Sequence, residues 1–240
     1  MYRTLAPILL LALIITACGD EDAERKAEAQ AVIDSIRTEY EAREANVQSA
    51  LKTAGEWRNK PDAPPLDWGE RPPAKFLDAR NNKLDKEANG RIFELGDDGN
   101  FNTDPKTMLG LFIEKKWRED IAKAMTGEGY LTKGGVQADF EKFKQVRYLC
   151  LLLTDSYVAP KIGTGTLFKV NFEAGHWQGR ALYFDLEEGK LIGGKKIEVT
   201  NAGNIDFKTK GLEAEEQKKA AQNAADSDLR QKVLEAASNP

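Results

Sequence analysis

The chain has 240 residues, with 35 lysines and arginines against 39 aspartates and glutamates, one histidine and a formal net charge of −4. A mildly acidic, charge-rich surface argues against a nucleic-acid binder, whose face must be basic, and against a broad electrostatic hold on anionic lipid. One histidine and two cysteines are too few ligands for an ordinary protein zinc site.

The chain opens with Met1-Tyr2-Arg3-Thr4, a short basic lead, followed by the apolar run Leu5–Ile15 and then Thr16-Ala17-Cys18. The run is little over half of the about 20 apolar residues that span a bilayer. It carries Pro7 and meets Asp20-Glu21-Asp22 at once, which weighs against an anchor helix. An ordinary secretory signal cleaved after Ala17 would leave Cys18 as an exposed thiol in an oxidising compartment. The segment resembles the signal peptide and lipobox of bacterial lipoproteins: an aliphatic residue, two small residues and a cysteine. The resemblance covers residues 1–18 and implies removal of 1–17, acylation of Cys18 and attachment to the cell envelope through palmitate-type chains. In enteric bacteria, aspartate directly after that cysteine retains lipoproteins in the inner membrane. Gly19 holds the place here, so the family rule implies the outer membrane, with the domain facing the periplasm. No domain family is identified for residues 19–240.

Residues 18–57 comprise the lipidated cysteine and one long helix. Asp20, Glu21 and Asp22 suit the positive end of its dipole and Lys52, Arg58 and Lys60 the other. Ile33, Ile36, Tyr40, Val47, Leu51 and Ala54 form a narrow apolar stripe, which serves packing on the chain's own domain or a stalk that meets a partner. Arg43 interrupts the seam and favours packing at home. Residues 58–75 are a proline-rich connector, with Trp57 and Trp68 to pin it. Residues 76–210 are expected to form an α+β domain. The stretch 74–102, at the junction of connector and domain, is polar and reads as a short helix or a hairpin. Thr103-Asp104-Pro105 starts a helix that Gly127 ends, and a second short helix is expected over 137–145.

Strands are expected at 146–154, 165–173, 177–187 and 190–200. Val146–Leu153 is a nearly continuous apolar run, the signature of a strand buried on both faces, with Cys150 inside it. The other three alternate apolar and polar residues. Glu187-Glu188-Gly189-Lys190 reads as a tight turn. Short connections predict a four-stranded antiparallel meander packed against helices. A C-terminal helix, 211–240 with its segment 211–237 regular, closes the chain and has a possible break at Asp226-Ser227. If Cys18 is acylated, Cys150 has no partner for an internal disulfide.

Several chemical motifs are nearly complete. Gly189-x4-Gly194-Lys195 lacks the hydroxyl residue of a P-loop and continues as a strand, so no nucleotide is expected. Tyr157-x3-Lys161 has the spacing of a short-chain dehydrogenase pair, but Pro160 breaks the required helix face. Asp98-x-Asn100-x-Asn102 alternates oxygen ligands but lacks the glycine and glutamate of a calcium loop. His176 has no Gly-x-Ser-x-Gly nucleophile elbow to serve. No cofactor and no metal are therefore expected. Asp155, Tyr157, Glu173, His176, Trp177, Arg180 and Tyr183 gather in the strand region and form the expected binding surface. The reading is a non-catalytic, lipid-anchored envelope protein that binds another envelope component, possible partners being envelope proteins. The alternative is a weakly marked periplasmic hydrolase using surface carboxylates, with Glu173 and Asp185 as the first pair to inspect.

Overall fold

The structure, a computed structural model, describes residues 6–76, 87–99, 122–123, 133–163, 172–203, 205 and 213–240. The chain divides into two compact units, Met1–Ala42 with Phe112–Lys144, and Arg43–Leu111 with Gln145–Pro240. Helix α1 (Ala6–Trp57) contributes to both and ends where the sequence places its end. Cys18 lies on its backbone. Among the described residues, no helix is long and apolar enough to cross a membrane.

In the first unit, α1 packs with α2 (Lys133–Gln145). Ala29, Ile33 and Tyr40 of α1 and Val136, Phe140 and Phe143 of α2 are buried. The Tyr40 and Phe143 rings lie 5.9 Å apart. Lys133 approaches Glu28 at 3.8 Å and Lys144 approaches Glu39 at 3.7 Å. The two pairs are equally spaced along both helices, so the helices run parallel. Helix α2 begins four residues before the expected 137 because Lys133 to Val136 add one more turn.

The second unit is built on a four-stranded sheet. Its strands are β1 (Gly90–Glu94), β2 (Tyr148–Val158), β5 (His176–Asp185) and β6 (Lys190–Thr200), in the order β1-β2-β5-β6. The expected purely antiparallel meander is corrected here, because the sheet is mixed. Strand β1 runs parallel to β2, with Gly90 beside Tyr148 and Glu94 beside Leu152. A parallel partner requires a long crossover, so it comes from distant sequence and leaves no local turn signal. The strand expected at 165–173 is not a member of this sheet among the described residues. Only Phe172–Glu173 (β4) form a strand there, paired with Lys161–Ile162 (β3) in a separate ribbon. Residues 164–171 lie outside the described residues, as does the helix expected from 103 to 127 apart from 122–123.

The antiparallel register of β2 and β5 sets the two faces of the sheet. Leu149 stands opposite Phe184, Leu151 opposite Leu182 and Leu153 opposite Arg180; Cys150 opposite Tyr183 and Leu152 opposite Ala181 point the other way. Both sets are buried. The Cys150 face packs on α3 (Ala214–Ser238), whose Ala221, Ala225, Leu229, Val233 and Ala237 recur every fourth residue and are buried. Tyr183 donates its hydroxyl to the Ala237 carbonyl at 2.8 Å, and the Asn201 amide donates to Ala225 at 2.7 Å. Helix α3 starts with acidic Glu215 and Glu216, and the Glu213 N–H donates to the Glu216 carboxylate at 3.0 Å. The expected break at Asp226-Ser227 does not occur. Ala225 and Leu229 are anchored in the core on either side, and Gln222 bonds Asp226 across one turn at 3.2 Å.

The Leu149 face lies under the last turns of α1, where Val47, Ala50, Leu51 and Ala54 are buried. Asn46 donates to the Leu186 carbonyl at 2.9 Å, and Arg43 donates to the Val146 carbonyl. The proline-rich connector then runs along β6. The Gly194 N–H donates to Pro64 at 3.0 Å and the Asp67 N–H to Ile192 at 3.3 Å. Gly193, at φ 143, touches the Pro65 carbonyl so closely that a Cβ would overlap it. Glycine is required there on both counts.

Candidate functional site

Strand β2 bulges between Thr154 and Ser156 and continues to Val158, so Tyr157 comes to stand beside Trp177 on β5. Both face the side of the sheet that α3 covers. Helix α3 crosses that face and leaves a groove of about 610 Å³ between itself, β1, β2 and β5. Ile92, Leu152, Trp177, Leu229, Val233 and Leu234 supply its apolar floor. Its walls carry Glu94, Thr154 and Tyr157 from the sheet and Asn223, Asp226, Ser227 and Arg230 from α3. The α3 residues recur at three- and four-residue spacing, one stripe of that helix.

The sheet side of the groove is fixed by hydrogen bonds. The Trp177 indole donates to the Thr154 hydroxyl at 3.2 Å, and Thr154 donates to Glu94 at 2.6 Å. Tyr157 is 54% exposed, and its ring forms the upper wall. Burial of its hydroxyl and the nearby Asp226 charge raise its pKa, with Arg230 opposing and Glu94 adding. On the helix side, Asp226 accepts from Gln222, which also donates to the Pro160 carbonyl at 2.8 Å. Arg230 makes no hydrogen bond or ion pair among the described residues, although Asp226 stands one turn away on the same helix.

The expected surface residues are divided by the structure. It brings Tyr157 and Trp177 together in the groove. Arg180 is 2% exposed and works as a joint. It pairs with Asp155, donates to the Trp57 carbonyl at 2.7 Å and the Arg58 carbonyl at 3.0 Å, and reaches the Lys60 carbonyl as well. Those carbonyls belong to the end of α1 and its exit, which hold orphan acceptors. Tyr183 is fully buried, and burial pushes its hydroxyl pKa strongly upward. His176 lies at the sheet's rim, 3.0 Å from Glu198, and Glu173 lies on the β3–β4 ribbon. The Glu94, Asn223, Asp226 and Arg230 contribution was not legible from the sequence, though the four-residue repeat of apolar positions in α3 marks which helix stripe flanks its core.

Asp185 is fully buried at the far end of β5. It accepts from Arg147 at 2.9 and 3.2 Å and from the backbone N–H groups of Glu187 at 2.9 Å and Glu188 at 3.2 Å, and Arg71 lies 3.6 Å away. Burial opposes the charge of Arg147, yet the bond and attraction to Asp185 outweigh it and raise the guanidinium pKa. Glu173 precedes β5 while Asp185 ends it, and β5 itself spans ~30 Å at about 3.3 Å per residue. These two carboxylates share no cleft of the dimensions glycoside hydrolysis needs. Cys150 is buried, and that burial pushes its thiol pKa well above the usual range, which disfavours the reactive thiolate. Among the described residues, no three His, Cys, Asp or Glu side chains stand together to hold a metal ion.

No family model, no curated protein and no solved structure matches this chain.

Proposed function

We propose that this chain is a lipid-anchored envelope protein that acts by binding, and that its binding site is the groove between α3 and the sheet. The anchor rests on Ile15-Thr16-Ala17-Cys18 after a short apolar run. Two or more acyl chains on Cys18 supply stable attachment, each buried methylene contributing about 0.8 kcal/mol. Gly19 in place of aspartate directs the protein to the outer membrane, with the globular part in the periplasm.

The observation that carries the binding reading is the groove itself: an apolar floor under a rim of polar and charged groups, the usual build of a ligand site. What supports binding over hydrolysis is that the groove's charged groups are one arginine and two acids, Glu94 from the sheet and Asp226 from α3, with no histidine or cysteine among the described lining residues. The partner is another envelope component, and no nucleotide or nucleic acid is involved.

Labelled palmitate tests the anchor. It should enter the wild type and be absent from Cys18→Ser, and equal labelling would remove the basis for the location. Density-gradient fractionation should place the protein with outer-membrane markers; recovery with inner-membrane markers would refute the sorting assignment. A photoreactive residue at Tyr157 should crosslink one envelope component in intact cells, whereas the same residue at exposed Lys52 should not.

A further inference from the structure

We infer that the groove recognises a small apolar monocarboxylate, with Arg230 as the residue that meets the carboxylate. This deepens the binding reading of the groove and is independent of the anchor.

Arg230 is half-buried on the groove wall, and none of its guanidinium donors is engaged among the described residues. A guanidinium offers a planar fork that suits a carboxylate in two parallel bonds, stronger than ordinary neutral hydrogen bonds. Leaving such a group partly desolvated and unpaired is unfavourable, and an arriving anion relieves it. Contrast Arg180, Arg147 and Arg71 in the same unit, each of which has a carboxylate within 4.0 Å. Arg230 is the cation of this groove that has no carboxylate partner among the described residues.

The rest of the groove narrows the class of anion. Asp226 and Glu94 also line it, so a dianionic phosphate would meet twice the repulsion that a monoanion does. Below the charged rim lie Ile92, Leu152, Trp177, Leu229, Val233 and Leu234, which offer an aliphatic or aromatic body a dry floor. An ammonium ligand is the competing case, because two acids are present. Asp226 already accepts from Gln222 and Glu94 from Thr154, however, so the unmet demand lies with the cation.

The test uses the full chain in phosphatidylcholine nanodiscs, with empty nanodiscs as reference and a Cys18→Ser chain alongside. Calorimetric titration with octanoate should show one saturable site in both chains. Octanol, octylamine and inorganic phosphate should each bind roughly tenfold more weakly or not at all. Arg230→Gln should weaken octanoate by roughly tenfold or more while leaving octanol unchanged, with the helical circular dichroism preserved. No saturable octanoate binding, tighter binding of octylamine or phosphate, or an unchanged Arg230→Gln titration would each overturn the assignment. No palmitate labelling of the wild-type chain, or equal labelling of Cys18→Ser, with octanoate binding intact would refute the anchor alone. A crosslinked partner at Tyr157 with no octanoate binding would refute the ligand class alone.

Discussion

Two arginines mark two kinds of region in the sheet-containing unit. Around Arg180 the chain supplies every partner: the Asp155 carboxylate and three backbone carbonyls at the end of α1. Around Arg230 it supplies none among the described residues, although the side chain is half-buried beside a cavity. Desolvating a charge is costly in both places. At the first it is offset inside the fold, so the charge serves assembly. At the second no partner offsets it among the described residues, and the side chain faces the groove. A buried charge with a full set of partners is evidence about folding, and one without them is evidence about binding.

Substitution at Arg180 should break this contrast most severely. Arg180→Ala leaves a carboxylate and several helix-end carbonyls without their donor, and urea unfolding should show a loss of roughly 3–5 kcal/mol. A loss under about 1 kcal/mol would erase the difference between the two regions. Alkali should act next on the same closed interior. Burial raises the pKa values of Tyr148, Tyr183 and Cys150. The unfolded chain therefore releases these protons first, near pH 8.5 for the thiol and about 10 for the phenols, while the folded chain keeps them. Their stabilisation is complete below those values and declines as pH rises through and beyond them. The melting temperature should fall above pH 9, and by less in Tyr183→Phe. A flat profile to pH 11 would contradict the buried placement.

Smaller effects sharpen the comparison. Cys150→Ala should cost about 1 kcal/mol of packing and leave ligand binding intact. The native thiol should resist maleimide until the protein unfolds, and rapid labelling would mean that β2 is exposed. In the groove, Arg230→Gln and Tyr157→Ala should change unfolding free energy by no more than about 0.5 kcal/mol. A larger loss in either would show that the groove wall is part of the closed interior.

Much of the sheet was legible because β2, β5 and β6 carry dense local signals. The apolar run at 146–153, the alternation through Leu182 and Phe184 and the turn at Gly189 place those strands correctly. Strand β1 was not legible, since Gly90-Arg91-Ile92-Phe93-Glu94 is short, set in polar sequence and paired with a strand far along the chain. Arg180 and Tyr183 were read as surface residues because alternation implies one wet face. This sheet is covered on both sides, by α3 and by the end of α1, so alternation separates two interiors instead of inside from outside. The α3 half of the groove was hidden for a related reason. Asn223, Asp226 and Arg230 look like a solvated helix face until the sheet is placed against their neighbours.

The proline-rich strap along β6 has a consequence for how copies of this protein coexist. The outer edge of a sheet is a template on which a strand from another molecule can polymerise. Pro64 gives its carbonyl to Gly194 but has no N–H to pass the ladder onward, and Lys196 beside it is committed to Asp62 at 2.6 Å. That stretch of edge is both occupied and terminated. A connector in this position blocks strand addition along that part of the edge, and trimming it should raise the rate at which the purified chain aggregates.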